Sequence, residues 1–427
     1  MLDRRRLLGL GGAAGLGLAA HGGHAMGRDD GPWDSEQDAR TARQFGAAPQ
    51  IRRRVTLGKT GLEVPEIGFG SASSSDPALV RQALARGVNF FDSAESYRWG
   101  SAEEAIGEAL AGVPRHSYVL TSKTKAGAGE TAAQMMAALD GSLKRLRTDY
   151  VDIYFNHAVN DVDRMRNSHW HDFTETARKQ GKIRFRGLSG HGSRLAECLD
   201  YAIDNDLADI ILAAYSFALD PDFQDRLRHT FHFVAIQPEL PRVLAKAKEK
   251  EVGVIAMKTL MGARLNDVRE YERDGRSFAQ AALRWVLASP RVDAAVISMT
   301  SAENIDEYVG ASERAALDGE YRAPQDLALL ARYAYRQNAR YCRPGCDGCA
   351  GACPAGVEIA EVLRTRMYAV DYGDEALARA DHAALGDAGA QACLSCTHQA
   401  CARSCVYDLD VPTLTRDTAR RLGPVMG

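Results

Sequence analysis

The chain has 427 residues, which is too long for one hydrophobic core, so we expect two domains with appended segments. Its 53 Lys and Arg residues nearly balance 56 Asp and Glu residues, and the formal net charge is -3. This balance argues against nucleic acid as a partner. Eight of the nine cysteines fall between Cys342 and Cys405. That clustering indicates a local metal or disulfide site rather than a disulfide-rich fold, and the ninth, Cys198, is expected to be a buried apolar residue.

The first 25 residues have the pattern of an export signal. Arg4 and Arg5 precede a short Gly/Ala/Leu run that ends near Ala20, and small residues follow it. The run is shorter than the roughly 20 residues that span a bilayer. The segment resembles a twin-arginine signal, which predicts a periplasmic protein with no transmembrane segment after signal removal. The alternative is an uncleaved arm or a chance occurrence of the arginines, and residues 26–50 are expected to be a polar linker.

Short apolar runs then alternate with amphipathic stretches. Eight strands with intervening helices over about 250 residues predict an α/β fold, a closed (β/α)8 TIM barrel at 51–318. A doubly wound open sheet is less favoured because no GxGxxG turn follows the first strand. The predicted strands are 66–70, 88–92, 118–122, 151–155, 183–188, 210–214, 254–257 and 294–298. The predicted helices include 77–86, 102–111, 131–146, 194–205 and 277–288.

Beyond a boundary placed near Gly319, the pattern predicts a mainly α-helical domain at 319–427. The polar stretch at 320–341 is expected to be helical, and further helices are expected at 362–372 and 413–422.

Four polar residues are predicted at the end of the barrel where the strands finish. Asp92, Lys123 and His157 end three consecutive strands, and Tyr97 lies in the loop after Asp92. Catalytic groups of (β/α)8 barrels lie at this end. A cation beside a phenol would lower the pKa of Tyr97, which could then donate a proton to a carbonyl oxygen, while a neutral His157 orients it. Taken singly, each residue could instead be a helix cap, a solvated lysine or a structural histidine.

These residues lie in motifs that resemble the aldo-keto reductase family. The motifs are Gly-Val-Asn-Phe-Phe-Asp-Ser-Ala-Glu-Ser-Tyr at 87–97, Thr-Ser-Lys-Thr at 121–124 and Val-Asp-Ile-Tyr-Phe-Asn-His at 151–157. Supporting matches occur at 57–65, 181–189 and 282–287, and the resemblance covers about 51–312. It implies a barrel, NADP(H) as hydride donor and a catalytic tetrad of Asp92, Tyr97, Lys123 and His157.

The nucleotide side departs from the family pattern. Members usually hold the nicotinamide carboxamide with Ser-Asn and Gln, where this chain has Ser189-Gly190 and Leu212. The loop at 298–304 has no Lys or Arg to bind a 2′-phosphate. NADP(H), NAD(H) and a degenerate site therefore all stay open. The residues expected to contact a cofactor are Ser189, Met257, Lys258, Thr300 and Asn304.

The cysteines form two quartets that resemble the runs of bacterial two-cluster ferredoxins. They are Cys342-x3-Cys346-x2-Cys349-x3-Cys353-Pro354 and Cys393-x2-Cys396-x4-Cys401-x3-Cys405. In such ferredoxins the last cysteine of each run serves the other cluster. This exchange of the last cysteine between the two runs implies two 4Fe-4S clusters. One would be held by Cys342, Cys346, Cys349 and Cys405, and the other by Cys393, Cys396, Cys401 and Cys353. Structural zinc and disulfides remain alternatives.

Two hypotheses follow from these patterns. The first is an oxidoreductase that interconverts a small carbonyl compound and its alcohol in the barrel, with clusters that are structural or pass electrons to a redox partner protein. The second is a non-catalytic electron-transfer or ligand-binding protein with a degenerate nucleotide site. The arrangement also resembles aldo-keto reductase-like proteins with a C-terminal ferredoxin-like iron–sulfur domain.

Overall fold

The computed structural model describes residues 48–192, 194–219, 223, 239–261, 268–272, 275–312, 323–337, 342, 346, 348–370 and 374–423. The predicted export signal, almost all of the linker and the boundary near Gly319 lie outside these residues. Residues Pro49–Gly427 form one compact unit. No helix in the described ranges is long and apolar enough to span a membrane.

Eight parallel strands close into a barrel, as the sequence predicts. A short antiparallel hairpin, β1 (Arg54–Thr56) and β2 (Glu63–Pro65), precedes them. The barrel strands follow in chain order, and the last pairs with the first. They are β3 (Ile67–Gly70), β4 (Phe90–Asp92), β5 (Val119–Thr124), β6 (Val151–Asn156), β7 (Ile183–Gly190), β8 (Ile210–Ala214), β9 (Gly253–Met257) and β10 (Ala294–Ser298).

Helices surround the barrel and begin where capping residues occur in the sequence. Thr131 and Gln134 form a capping box at the start of one helix, while Asp76 and Ser301 cap two others. The helices are α1 (Pro77–Ala85), α2 (Ser101–Ala109), α3 (Ala132–Leu146), α4 (Val162–Met165), α5 (Ser168–Lys179), α6 (Leu195–Asp204), α7 (Leu240–Glu249), α8 (Phe278–Leu287), α9 (Ala302–Val309) and α10 (Pro324–Gln337).

Two apolar layers hold this architecture together. The inner one fills the barrel, where Leu57, Leu62 and Val64 of the hairpin region pack with strand residues such as Phe90 and Ile153. Because Phe90 begins its strand, the hairpin closes the amino-terminal end of the barrel and leaves the opposite end for the site. The outer layer lies between strands and helices.

Helix α10 packs on the barrel although it follows the expected boundary. Tyr333 is fully buried, and its ring centroid lies 4.5 Å from that of Phe278 on α8. Asp326 pairs with Arg276 at 2.7 Å. Barrel-packed structure therefore extends beyond residue 319.

The cysteine region contains three further helices, α11 (Ile359–Val370), α12 (Glu375–Ala383) and α13 (Val411–Leu422). α11 and α13 correspond to the helices expected at 362–372 and 413–422, whereas α12 was not predicted. Their shared core is small: Val357, Ile359, Val362, Leu363, Ala390, Leu409, Val411 and Ala419, with cysteines packed against it.

Candidate active site

A buried ion pair lies where two neighbouring strands end. Lys123 of β5 donates to both carboxylate oxygens of Asp92 on β4 at 2.7 Å, and to the Ser93 carbonyl at 2.6 Å. Thr121 donates a further hydrogen bond to Asp92 at 2.7 Å. Burial lowers the pKa of Lys123, and the adjacent Asp92 carboxylate opposes that shift. The ammonium is thus fully bonded, which a buried charge requires.

Tyr97 and His157 lie beside this pair. The Lys123 ammonium is 4.8 Å from the Tyr97 ring centroid. The Tyr97 and His157 ring centroids are 5.4 Å apart, edge to face. The structure therefore brings together all four residues predicted as catalytic: Asp92, Tyr97, Lys123 and His157.

The expectation for the acidity of Tyr97 was wrong. Burial raises the pKa of Tyr97 well above its ordinary value, and the Asp92 carboxylate and Tyr368 act in the same direction. The charge of Lys123 does not reverse this because Asp92 already compensates it. Tyr97 is therefore a protonated phenol at neutral pH, able to donate a hydrogen bond or a proton.

Hydrogen bonds from Arg164 stabilise the loop that carries His157. The His157 amide donates to the Thr124 carbonyl at 2.8 Å. Arg164 of α4 donates to the carbonyls of His157, Ala158 and Ala126 at 2.9–3.0 Å. Burial lowers the pKa of His157 well below its ordinary value, and nearby cations, Lys123 first, act in the same direction. The imidazole is thus neutral at neutral pH, as predicted, whereas the role of Arg164 was not anticipated.

The residues predicted to contact a cofactor are spread over three strand ends. The Ser189 hydroxyl accepts a hydrogen bond from the Ala158 amide at 3.0 Å, so it already supports the His157 loop. Met257 ends β9, and Lys258 follows with a left-handed φ of 57°. The Thr300 hydroxyl donates to the Asn304 side chain at 2.9 Å beside the start of α9.

Helices α11 and α12 lie against this end of the barrel. Asn160 donates to Glu361 at 3.3 Å, and Lys125 pairs with Asp381 at 2.6 Å. The Lys258 ammonium lies 5.4 Å from the ring centroid of Tyr368. The cysteine region therefore supplies side chains to the mouth of the barrel, which sequence patterns did not indicate.

The family model "Aldo/keto reductase family" matches residues 66–323. The chain belongs to the aldo/keto reductase family. It is accordingly an oxidoreductase of the aldo-keto reductase kind, as the sequence predicts.

Two relatives of the family match most of their own length. L-galactose dehydrogenase of Arabidopsis thaliana is 26% identical over 295 residues, which cover 60% of this chain and 86% of that protein. L-glyceraldehyde 3-phosphate reductase of Escherichia coli K12 is 26% identical over 298 residues, with the same coverage of 60% and 86%. A solved aldo-keto reductase from Bacillus halodurans has a TM-score of 0.50 at 22% identity, covering 66% of this chain and 95% of that one, and shares the fold.

The eight cysteines of the two quartets lie outside the part of the chain that the family model matches. Four of them line one cavity of about 450 Å³, open solvent included: Cys353, Cys393, Cys396 and Cys401. Of the other four, Cys346 and Cys405 both pack against Tyr407. Burial raises the pKa of Cys342, and Cys346, Cys349 and Cys405 lie near enough to raise it further. The two groups have the same members as the two ligand sets that the resemblance to two-cluster ferredoxins implies.

Within the described residues, no three His, Cys, Asp or Glu side chains are arranged to hold a metal ion. No described cysteine forms a disulfide. Thiolates are the usual ligands of iron–sulfur clusters, and four of these thiols line one cavity.

Proposed function

We propose that this protein interconverts a small carbonyl compound and its alcohol with a nicotinamide cofactor. The observation that carries the proposal is the buried Lys123–Asp92 pair in contact with Tyr97, with His157 at the ring edge. The names of the two relatives, a dehydrogenase and a reductase, support the same reaction class.

Each residue of the site has a separate role in carbonyl reduction. When bound, a dihydronicotinamide would supply the hydride that reduces the carbonyl carbon. The raised pKa keeps Tyr97 protonated until the oxygen gains negative charge, and its phenol then gives that oxygen a proton and recovers one from solvent. Neutral His157 donates a hydrogen bond to the same oxygen, and Lys123 stabilises the transient phenolate.

The proposal allows either NADP(H) or NAD(H) as the cofactor. The α9 start near Thr300 and Asn304 presents backbone amides that suit a phosphate, but the sequence at 298–304 has no cation. Ser189 would support the site through the His157 loop, and Met257 and Lys258 would border the nicotinamide.

Replacing Tyr97 by Phe tests the reductase. We expect carbonyl turnover with NADPH or NADH to fall about 10²- to 10⁴-fold, because the proton donor is lost while the ring packing is kept. Tyr118→Phe is the matched control, since Tyr118 is buried just before β5 at the other end of the barrel. Circular dichroism checks folding. Native turnover that survives Tyr97→Phe would remove the tetrad from the mechanism.

The C-terminal thiols are proposed to hold two 4Fe-4S clusters. Cys342, Cys346, Cys349 and Cys405 would hold one, and Cys353, Cys393, Cys396 and Cys401 the other. Such clusters would supply one-electron chemistry or structural support, and a redox partner protein would accept the electrons.

Metal and sulfide analysis of anaerobically purified protein tests the clusters. We expect about eight iron and eight sulfide per chain, with a paramagnetic signal after dithionite reduction. Cys393→Ser should remove about half of the iron, whereas Cys198→Ser should remove none because Cys198 is buried in α6. Zinc without sulfide, or intact disulfides, would overturn this assignment.

The second candidate function is electron transfer without substrate turnover in the barrel, and one observation favours it. The mouth of the barrel is covered by α11 and α12, as it would be in an electron-transfer protein whose barrel no longer turns over substrate. Anaerobic titration with each nucleotide separates the two candidates. Nucleotide oxidation by a carbonyl supports the reductase, and cluster reduction without nucleotide binding supports the electron-transfer protein.

The proposed location is the periplasm, reached by twin-arginine export. Changing Arg4 and Arg5 together to Lys should retain the unprocessed chain in the cytoplasm, as judged by cell fractionation. Periplasmic, processed protein from that variant would contradict this route.

A further inference from the structure

An arginine lines the cavity that four of the cysteines share. Arg416 of α13 is half-buried, and its guanidinium donates to the Cys396 carbonyl at 2.9 Å and to the Cys393 carbonyl at 3.3 Å. Neither the mechanism proposed for the barrel nor the assignment of the thiol ligands uses this cation. The four thiols that line the cavity are called the cavity set: Cys353, Cys393, Cys396 and Cys401.

The positive charge of Arg416 is not paired with a carboxylate. Within the described residues, its hydrogen-bond partners are these two main-chain carbonyls, and no salt bridge joins it to Asp or Glu. Hydrogen bonds from Thr413 lower the pKa of the exposed Asp410, and the effect of Arg416 on that carboxyl is smaller. The wall of the cavity therefore carries a cation that carbonyl oxygens solvate but do not neutralise.

The other four thiols have a carboxylate as a charged neighbour. Burial raises the pKa of Cys342, and Glu361, which is 7% exposed and paired with Arg364 at 2.6 Å, adds to that rise. Burial also raises the pKa of Cys393, but there Arg416 acts in the opposite direction. The charged side chains beside the cavity set and beside the second set therefore differ in sign. The second set is Cys342, Cys346, Cys349 and Cys405.

A charge beside an iron–sulfur cluster changes how readily the cluster accepts an electron. Reduction adds one negative charge, so a nearby cation stabilises the reduced form and a nearby carboxylate destabilises it. Net charge and hydrogen bonding are among the features that set cluster potentials. The other residues that line the cavity are mainly apolar, which leaves the charge of Arg416 less screened than it would be in water.

We propose that Arg416 raises the reduction potential of the cluster held by the cavity set above that of the other cluster, so that the first electron added to the protein resides there. The inference rests on the two clusters proposed above and gives them different roles. An electron that enters the second set would move to the cavity set. Leu394, next to Cys393, is 43% exposed, so a redox partner protein can accept the electron at this surface.

A reductive titration with dithionite tests the order of the two clusters. Visible absorbance and electron paramagnetic resonance of the anaerobically purified full chain should show two one-electron steps. Cys342→Ser removes a ligand of the second set and should keep the step at higher potential. Cys393→Ser should keep the step at lower potential. Coincident steps, or the reverse order, would overturn the inference.

Replacing Arg416 by Gln tests the charge itself. The equilibrium constant for adding the first electron should fall about tenfold, which is a midpoint about 59 mV lower, while the second step stays unchanged. Arg416→Lys keeps the charge and should restore most of the potential. Arg420→Gln, at an exposed position of the same helix, is the control and should shift neither step by more than about twofold. Arg416→Gln steps that do not move, or that move equally, would contradict the role of Arg416.

Iron and sulfide content separates this inference from the assignment of the clusters. Each arginine variant should retain about eight iron and eight sulfide per chain. If the wild type holds no iron, the cluster assignment fails and this inference fails with it. If the iron is present and Arg416→Gln shifts neither step, the inference alone fails. If Arg416→Gln loses iron, the order of the steps in the two cysteine variants decides.

Discussion

At the scale of single residues, the site depends on how the positive charge of Lys123 is compensated. Lys123 is buried and has three oxygen partners, two of them on Asp92. Burial raises the pKa of Tyr97, and the Asp92 carboxylate adds to that shift, so the phenol stays protonated at neutral pH. The carboxylate therefore acts on both the stability of the barrel end and the protonation state of Tyr97.

Asp92→Asn is expected to destabilise the protein strongly. Removing one partner of a buried ion pair leaves an uncompensated charge, which costs about 3–5 kcal/mol of unfolding free energy. Urea unfolding measures this loss. Asp163→Asn, which removes the partner of Arg166 in a pair whose side chains are 61% and 66% exposed, should leave stability almost unchanged. Similar losses for the two variants would contradict the account.

The site residues that the sequence predicts are those with a regular position in the alternation of strands and helices. Asp92, Lys123 and His157 occupy successive strand ends, so alternation of strands and helices predicts that they meet. Arg164, which donates hydrogen bonds to the loop of His157, was missed as a site residue. Its importance depends on burial and on contacts between distant parts of the chain, which no local spacing encodes.

At the scale of elements, all eight barrel strands occur where the sequence predicts them, with ends that differ by two residues or fewer. Apolar runs and capping residues are local signals, which explains this agreement. The covering of the mouth by α11 and α12 was not predictable, because it depends on tertiary contacts such as that of Asn160 with Glu361.

Two helical glycines should respond oppositely to alanine. At Gly107 of α2 an added Cβ would lie 2.5 Å from the Arg145 carbonyl oxygen, a backbone atom, so Gly107→Ala should cost about 1–3 kcal/mol. At Gly141 of α3 the nearest atom is a terminal guanidinium nitrogen of Arg145 at 3.3 Å, a side-chain and not a backbone atom, so Gly141→Ala should gain up to about 1 kcal/mol of helix propensity. Thermal unfolding measures both, and stabilisation by Gly107→Ala would contradict the packing of α2 on α3.

At the scale of the whole molecule, buried neutral histidines make stability depend on pH. The pKa of His191 is well below its unfolded value of about 6.5. As pH falls below that value, the unfolded chain binds a proton that the folded chain does not. The histidine thus contributes stability above pH 6.5 that is lost on acidification, by up to about 1.4 kcal/mol per pH unit.

Comparison of the wild type with His191→Leu isolates this effect. Urea unfolding at pH 7.5 and pH 5.5 should show a smaller loss on acidification in the variant. Burial raises the pKa values of Glu66, Glu95 and Glu307, so these residues add stability as the pH falls. They do so in both proteins, and their effect cancels in the difference. Equal losses in the two proteins would mean that His191 becomes protonated in the folded state.

The contact of α11 with the barrel has a consequence for the order in which the protein is assembled. Helix α11 begins at Ile359, late in the chain, and its small core is shared with the cysteine region. During synthesis the amino-terminal barrel can fold first, with its mouth still uncovered. The nicotinamide nucleotide proposed above would then be loaded before the last segment folds over it, and folding of the cysteine region would complete the enclosure.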